Sequence, residues 1–236
     1  MEISASTIHN FYNSELGKIV MLETTNNLSK ALNGHHATKI CGLGYTHPYL
    51  DFLKSSYSQS SFYEMSPDFL GAIKEENSSF KQEVVDEYCL PIQPSTIDII
   101  VLSHILELVE KPEKVVEEAW RVLKPNGVLI SIVPRRAGLW TRYDNSPFGY
   151  GRSFSKNQLS YLLDSFFYSE SSFYYLYTPP WKNFFNYRLS SFFEKLGPLT
   201  IPFLSGLKMQ VSKKIVYVKN NQEIKKSNLQ KNLVTI

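Results

Sequence analysis

The run Ile97-Asp98-Ile99-Ile100-Val101-Leu102-Ser103 constrains this chain more than any other segment. It is almost continuously apolar, as a strand must be when both faces of its sheet are covered. After it, residues 111–123 place Val115, Val116, Ala119, Trp120 and Leu123 at helical spacing, with Pro112 in the first turn. Pro125-Asn126-Gly127 ends that helix, and residues 128–133 read as a second fully apolar strand. Before it, strands are expected at 39–43, 61–64 and 83–86, with a helix at 48–55. Strand and helix alternate throughout residues 36–134. That pattern predicts an α/β, Rossmann-like doubly wound sheet, mostly parallel, with helices on both faces and right-handed crossovers.

The flanks differ in character. Residues 1–35 carry Ile8, Phe11, Tyr12, Leu16, Ile19, Val20 and Leu22 at roughly helical intervals, which predicts an N-terminal helical cap stopped at Gly34. Residues 135–195 read as a lid or insertion dense in aromatics: 20 of the 33 in the chain fall between Ala137 and Phe203, too many to ignore as scatter. Within it, Ser155-Lys156-Asn157-Gln158 has capping-box spacing before Leu159, Leu162 and Leu163. Residues 196–219 close the unit with a strand at 208–218. Residues 220–236 are polar and lysine-rich and are expected to be a disordered tail. The reading is one domain over 1–219.

Composition excludes several classes. The net charge of +3 is too weak for a nucleic-acid face, and the lysine surplus sits toward the C-terminus. Cys41 and Cys89 have no CxxC neighbour, and the five histidines show no zinc spacing, so no metal is expected. No apolar stretch reaches the ~18–20 residues of a membrane span, and the N-terminus does not read as a secretory signal. The expected compartment is cytoplasmic.

The chemistry-bearing residues cluster after the predicted strands. Gly42 and Gly44 open a turn, with Tyr45 and Thr46, where α/β sheets bind ligands. The alternative is a plain tight turn. Glu64 lies 20 residues beyond Gly44. Nucleotide-binding folds place a ribose-binding carboxylate at that spacing, though a surface glutamate reads the same way.

From residue 84 to 134 the chain reads VVDEYCLPIQPSTIDIIVLSHILELVEKPEKVVEEAWRVLKPNGVLISIVP. This resembles the second half of the type 11 small-molecule methyltransferase domain, a class I S-adenosylmethionine-dependent family. That family commonly reads D-A-x-x-LPF, then SFD, LEH and RVLKPGG, in the same register. The resemblance implies S-adenosyl-L-methionine as cofactor, a small-molecule acceptor and an antiparallel last strand. Asp86 then stands where the adenine amino group is contacted, with Glu87 or Tyr88 flanking the ring. Ser103 and His104 line the floor of the site. FYNSELG is similar to the segment leading into a helix that closes over the cofactor, which makes Tyr12 a candidate for the methionine moiety.

The glycine turn departs from the family. Aligned on Gly44, the family's acid is Gly42, its second glycine is Thr46 and its third is Pro48; the LEH histidine is Leu108. GLGYTHPYL and PRRAGLW…SPFGYGRSFS resemble a bacterial subgroup of this family with this atypical loop.

Beyond the strand ends, Arg135, Arg136, Arg142 and Arg152, with Tyr150, sit in a glycine- and proline-shaped segment. They read either as a substrate lid for an anionic or aromatic ligand, or as solvated arginines on a packed insertion. The aromatics Tyr174, Tyr175, Tyr177, Trp181, Phe184, Phe185, Tyr187, Phe192 and Phe193 read as the packing of a helical cap, an apolar substrate pocket or an interface. FFNYRLSSFFEKLG has the pattern of an amphipathic helix, so contact with a membrane surface is also open. Methyl transfer needs mainly proximity and alignment; where the acceptor must lose a proton, His104 is the expected base. The other reading is a methyltransferase fold that binds or scaffolds without catalysis. The acceptor and the oligomeric state are open at this point.

Overall fold

The computed structural model describes residues 3–73, 80, 82–180 and 187–216. The aromatics Trp181, Phe184 and Phe185 and the tail at 220–236 lie outside the described residues.

Seven strands form one sheet in the order β3-β2-β1-β4-β5-β7-β6. They are β1 (Lys39–Gly44), β2 (Ser61–Pro67), β3 (Gln82–Val85), β4 (Ile97–Ser103), β5 (Leu123–Pro134), β6 (Phe167–Tyr175) and β7 (Leu207–Lys214). Strands β3, β2, β1, β4 and β5 pair in parallel, while β7 runs antiparallel to both β5 and β6. The architecture is the mostly parallel Rossmann-like sheet expected from the alternating pattern. β4 occupies the apolar run at 97–103 and sits in the middle of the sheet, covered on both faces.

Two cores lie on opposite faces. One gathers α1 (Ala5–Tyr12), α2 (Glu15–Ala31) and α3 (His47–Ser56) over Ile40, Ile99, Val101, Ile130 and Met209. The other packs α4 (Pro112–Val122) and α5 (Lys156–Asp164) over Cys41, Leu43, Ile100, Leu102 and Leu129. α5 begins with the capping box, Ser155 and Gln158 each bonding the other's backbone. Among the described residues no helix is long and apolar enough to cross a membrane.

Three expectations change. The N-terminal cap is two helices, because Ser14 accepts from the Gly17 amide and starts α2 afresh. Strand β5 starts at Leu123, directly after α4, and then shifts register: Ile97 faces Leu123 while Ile99 faces Val128. The Lys124–Gly127 stretch bulges out there, with Asn126 at a left-handed φ of 62°. Third, the aromatic segment is not wholly an insertion. Residues 167–175 form β6, an edge strand paired only with β7 and bulged near Glu170. One bonded edge and exposed Tyr168 blur its alternation, so it does not read as a strand.

α6 (Tyr187–Thr200) lies beyond β6, and Glu194 ties it down by accepting from the amides of Leu176 and Thr178. Phe192 and Leu199 of α6 are exposed.

Asp98 pins the start of the sheet. Its carboxylate accepts from the Thr38 amide and hydroxyl, the Lys39 amide and the Lys124 ammonium, the last at 2.6 Å. Partial burial alone would raise its pKa, but these donors outweigh it and bring it down to about 2. A depressed carboxylate stabilises the fold above its unfolded pKa, and that stabilisation is lost as pH falls through the folded value. Asp98→Ala is therefore expected to cost about 1–2 kcal/mol above pH ~4, after solvent screening. The difference from wild type should shrink as pH falls from ~4 and disappear only below pH ~2, as read by urea titrations across that range.

Candidate functional site at the strand ends

The C-terminal ends of β3, β1 and β4 bring Asp86, Gly44 and Ser103 to one edge. Glu64, expected to end a strand at 61–64, instead lies midway along β2, which runs on to Pro67 and sets Glu64 beside Gly42 and Gln82. Gly44 has φ +97°, and a Cβ there would stand 2.1 Å from the Ser103 carbonyl. A Cβ on Gly42 would meet the Thr46 hydroxyl at 2.1 Å. Both glycines are thus required by the chain's own packing. The Tyr45 amide then donates to the Ser103 carbonyl, which sends the turn back across β4.

Glu64 is 2% exposed. Its Oε2 lies 3.0 Å from Nδ1 of His47, and its Oε1 accepts from Gln82. Nε2 of His47 lies 3.3 Å from Asp51. The carboxylate expected to serve ribose is therefore engaged within the protein. His47 was not among the sequence candidates; its place three residues after Gly44 was the available signal.

Asp86 is exposed and closes a turn by accepting from the Tyr88 amide. Glu87 and Tyr88 line a shallow recess of about 390 Å³ with Ile3, Phe69 and Leu108. Glu118 of α4 supports this turn by accepting from the Leu90 amide at 2.6 Å while pairing with Arg121.

Over β1 and β4 the space is filled by side chains. Tyr12, at the end of α1, reaches down to the strand ends. Its hydroxyl lies 2.6 Å from that of Tyr49 and 2.9 Å from Nε2 of His104. Its ring stacks on Tyr45 at 5.3 Å and 17°. Phe148 lies tilted against the His104 ring, with centroids 5.0 Å apart. Tyr12, Tyr45, Tyr49 and His104 are all buried. Burial pushes Tyr12 well above the usual phenol range, helped by neighbouring Tyr49, and takes Tyr49 up to about 12. Both are neutral phenols at pH 7.

His104 is strained and backed by an acid. Its φ is +53°, in the left-handed region that non-glycine residues seldom occupy. Its Nδ1 lies 3.5 Å from Oε1 of Glu107, both side chains being 1% exposed. Glu107 and Tyr49 were not anticipated, although Glu107 sits at i+3 from His104.

The arginines are placed elsewhere. Arg135 donates to the Pro202 carbonyl and the Ser205 hydroxyl and lies over the Tyr174 ring. Arg136 is exposed and donates to the Ser153 carbonyl. Arg152 donates to the carbonyls of Val109 and Glu110. Tyr150 is half-buried in the same segment. Arg152 thus splices the segment onto the loop after β4, while Arg135 ties it to the turn before β7 and Arg136 bonds within it, so the arginines do not converge on Tyr12 and His104. Arg152→Ala should lower stability by about 1–2 kcal/mol, for two lost charge-assisted bonds. Ligand affinity per folded molecule should stay unchanged. A selective loss of affinity would return Arg152 to the ligand site.

The sequence of residues 40–131 matches a family model described as a methyltransferase domain. This stretch is a type 11 methyltransferase domain.

The methyltransferase domain and its flanks also resemble solved structures. A SAM-dependent methyltransferase from Thermotoga maritima superposes with a TM-score of 0.59 at 13% identity, over 87% of this chain and 93% of that one. A geranyl diphosphate methyltransferase in complex with GPP and sinefungin gives 0.59 at 11% identity, over 81% and 77%. The [4+2]-cyclase SpnF gives 0.56 at 16% identity, over 82% and 80%. At these identities the likeness is one of fold. No protein of curated function matches the chain.

In the conformation described, the methyltransferase domain does not fit S-adenosylmethionine. Glu64 is held by His47, the two glycines are consumed by internal packing, and Tyr12 closes over Tyr45 and His104 beside them. Asp86 and the Glu87–Tyr88 recess are open to solvent at the other end. Among the described residues no cluster of acids, histidines and cysteines could hold a metal.

Proposed function

We propose that the chain is an S-adenosylmethionine-dependent methyltransferase acting on a small acceptor, and that α1 must leave the strand ends before ligands bind. The observation that supports this most is the row of Asp86, Gly44 and Ser103 at the strand ends of a type 11 domain, with Glu64 deeper along β2. S-adenosylmethionine, when bound, supplies a methyl group already activated on a sulfonium. The chain's own contribution is then orientation, exclusion of water and proton handling. His104 is the base in this reading. Its Nε2 faces a hydroxyl, and Glu107 behind Nδ1 stabilises the imidazolium that forms on protonation. Tyr49 holds the same hydroxyl from a second side. Asp86, Glu64 and the glycines, with the Tyr45 backbone and Ser103, form the cofactor side, the Tyr45 ring faces the acceptor side, and Tyr12 acts as the closing residue.

A second reading, a methyltransferase fold that binds or scaffolds without catalysis, is favoured by one observation. Glu64 already has His47 and Gln82 as partners, so a ribose would have to compete for it.

Calorimetric titration with S-adenosylmethionine and S-adenosylhomocysteine separates the two. The expected result is saturable binding to wild type that weakens about tenfold or more in Asp86→Ala, the usual size for a hydrogen bond to a charged group. Silence at millimolar ligand leaves the scaffold reading. Binding indifferent to Asp86→Ala removes Asp86 from the adenine site.

A further inference from the structure

Tyr12 is bound the way a ligand is bound. Its phenol belongs to α1, whereas the groups that hold its hydroxyl and stack on its ring come from the segments that follow β1 and β4, backed by Phe148 from beyond β5. Tyr45 offers a ring face, His104 and Tyr49 offer two partners to one hydroxyl, and Phe148 backs the imidazole. Filling an apolar gap would not need this chemistry, since a phenylalanine over leucines would serve. Instead the fold buries a histidine in a left-handed backbone conformation, with a buried carboxylate behind it. Nδ1 of His104 and Oε2 of Glu107 have no hydrogen-bond partner among the described residues. Buried polar groups in that state weaken a fold unless something else requires them.

We infer that the acceptor site takes a small aryl alcohol, a phenol, which displaces Tyr12 and repeats its contacts. This rests on the function proposed above, and names the class of molecule that site receives. The ring lies on Tyr45. The hydroxyl sits between Nε2 of His104 and the Tyr49 hydroxyl, where its proton can pass to His104. α1 is then a lid whose last residue imitates the ligand it excludes. Amines and carboxylates are disfavoured here. A protonated amine brings a second positive charge against the histidine once that has taken a proton, and a carboxylate faces the buried Glu107.

The test uses the full chain and three probes of similar shape: p-cresol, 4-methylanisole and toluene. Calorimetry on Tyr12→Ala is expected to show p-cresol binding at least about tenfold tighter than the other two, because neither of them can donate a hydrogen bond to Nε2 of His104. In wild type, p-cresol should bind more weakly, and hydrogen exchange of the α1 amides should speed up as it saturates. If Tyr12→Ala fails to fold, Tyr12→Phe keeps the ring and weakens the lid, so its affinity for p-cresol should exceed that of wild type about tenfold. Equal binding of toluene and p-cresol overturns the inference, since the site is then only an apolar hole. Wild-type α1 exchange unchanged at saturating p-cresol also overturns it, since Tyr12 is then a fixed part of the core. Failure of the methyltransferase reading looks different: p-cresol binds as described, while S-adenosylmethionine does not bind at all.

Discussion

Gly44→Ala should unfold this protein far more readily than the same methyl addition at Gly34. Two costs coincide there. The backbone is held at φ +97°, and the new Cβ would stand 2.1 Å from the Ser103 carbonyl and 3.1 Å from the Ile105 Cβ. Neither neighbour is the loose end of a long side chain, so relief requires β1 and β4 to part at the middle of the sheet. The expected loss is about 3–5 kcal/mol, a large share of the ~5–15 kcal/mol typical of a folded domain. Gly34→Ala supplies the control. Its φ of +80° carries a similar conformational penalty, but nothing lies within 4 Å of the added carbon. That variant should lose only about 1 kcal/mol. Urea midpoints of the two variants decide the matter. Were Gly44→Ala as stable as Gly34→Ala but deficient in ligand binding, the glycine would be serving a ligand rather than the sheet.

Trp140→Ala should come next, at about 3–5 kcal/mol. The indole is fully buried, donates to the Thr178 carbonyl at 2.8 Å, and meets Phe11 and Phe148 edge-on. It also fills the room that Gly206 leaves, since a Cβ there would stand 2.4 Å from the indole. One side chain thus joins the 139–142 turn to α1, to the chain after β6 and to the approach to β7. Removing it leaves a cavity and an unpaired carbonyl. A selective consequence should accompany the general one: α1 loses its Phe11 contact, so its amides should exchange faster than those of α4. Tyr161→Ala, at a 77% exposed ring, should change neither quantity. Uniform acceleration across all helices would mean that Trp140 supports the fold without specially holding α1.

The contrast between fold and site in the sequence has a physical origin. β4 was legible to the residue because a strand covered on both faces must be apolar along its length. α4 was legible from Pro112 and its inner face for similar reasons. β6 was not. It is bonded on one side, and its exposed residues, Tyr168 among them, break the period. At the site, spacing located Asp86 and His104 on strand ends, placed Glu64 on the right strand but three residues short of its end, and could not show what stood opposite each. Glu64 meets His47 across a turn, and His104 meets Tyr12 from a helix 92 residues earlier. Such partners are set by how elements pack. The glycine turn failed for a related reason. A short motif does not say whether a missing side chain makes room for a ligand or for the neighbouring strand, and here the strand claims it.

The position of β7 has a consequence for how the chain is made. β7 lies between β5 and β6, so β6 never touches β5, although it is completed earlier in the sequence. During synthesis the chain can build the sheet from β3 through β5 and must then leave β5 with an open edge. β6 waits as an unattached ribbon until residues 207–214 have left the ribosome and slotted between the two. Closure is therefore a late, non-local event, the slow kind in folding kinetics. A nascent chain stalled before Leu207 would expose a long apolar strand edge, and this is the stage at which the protein should most need a chaperone.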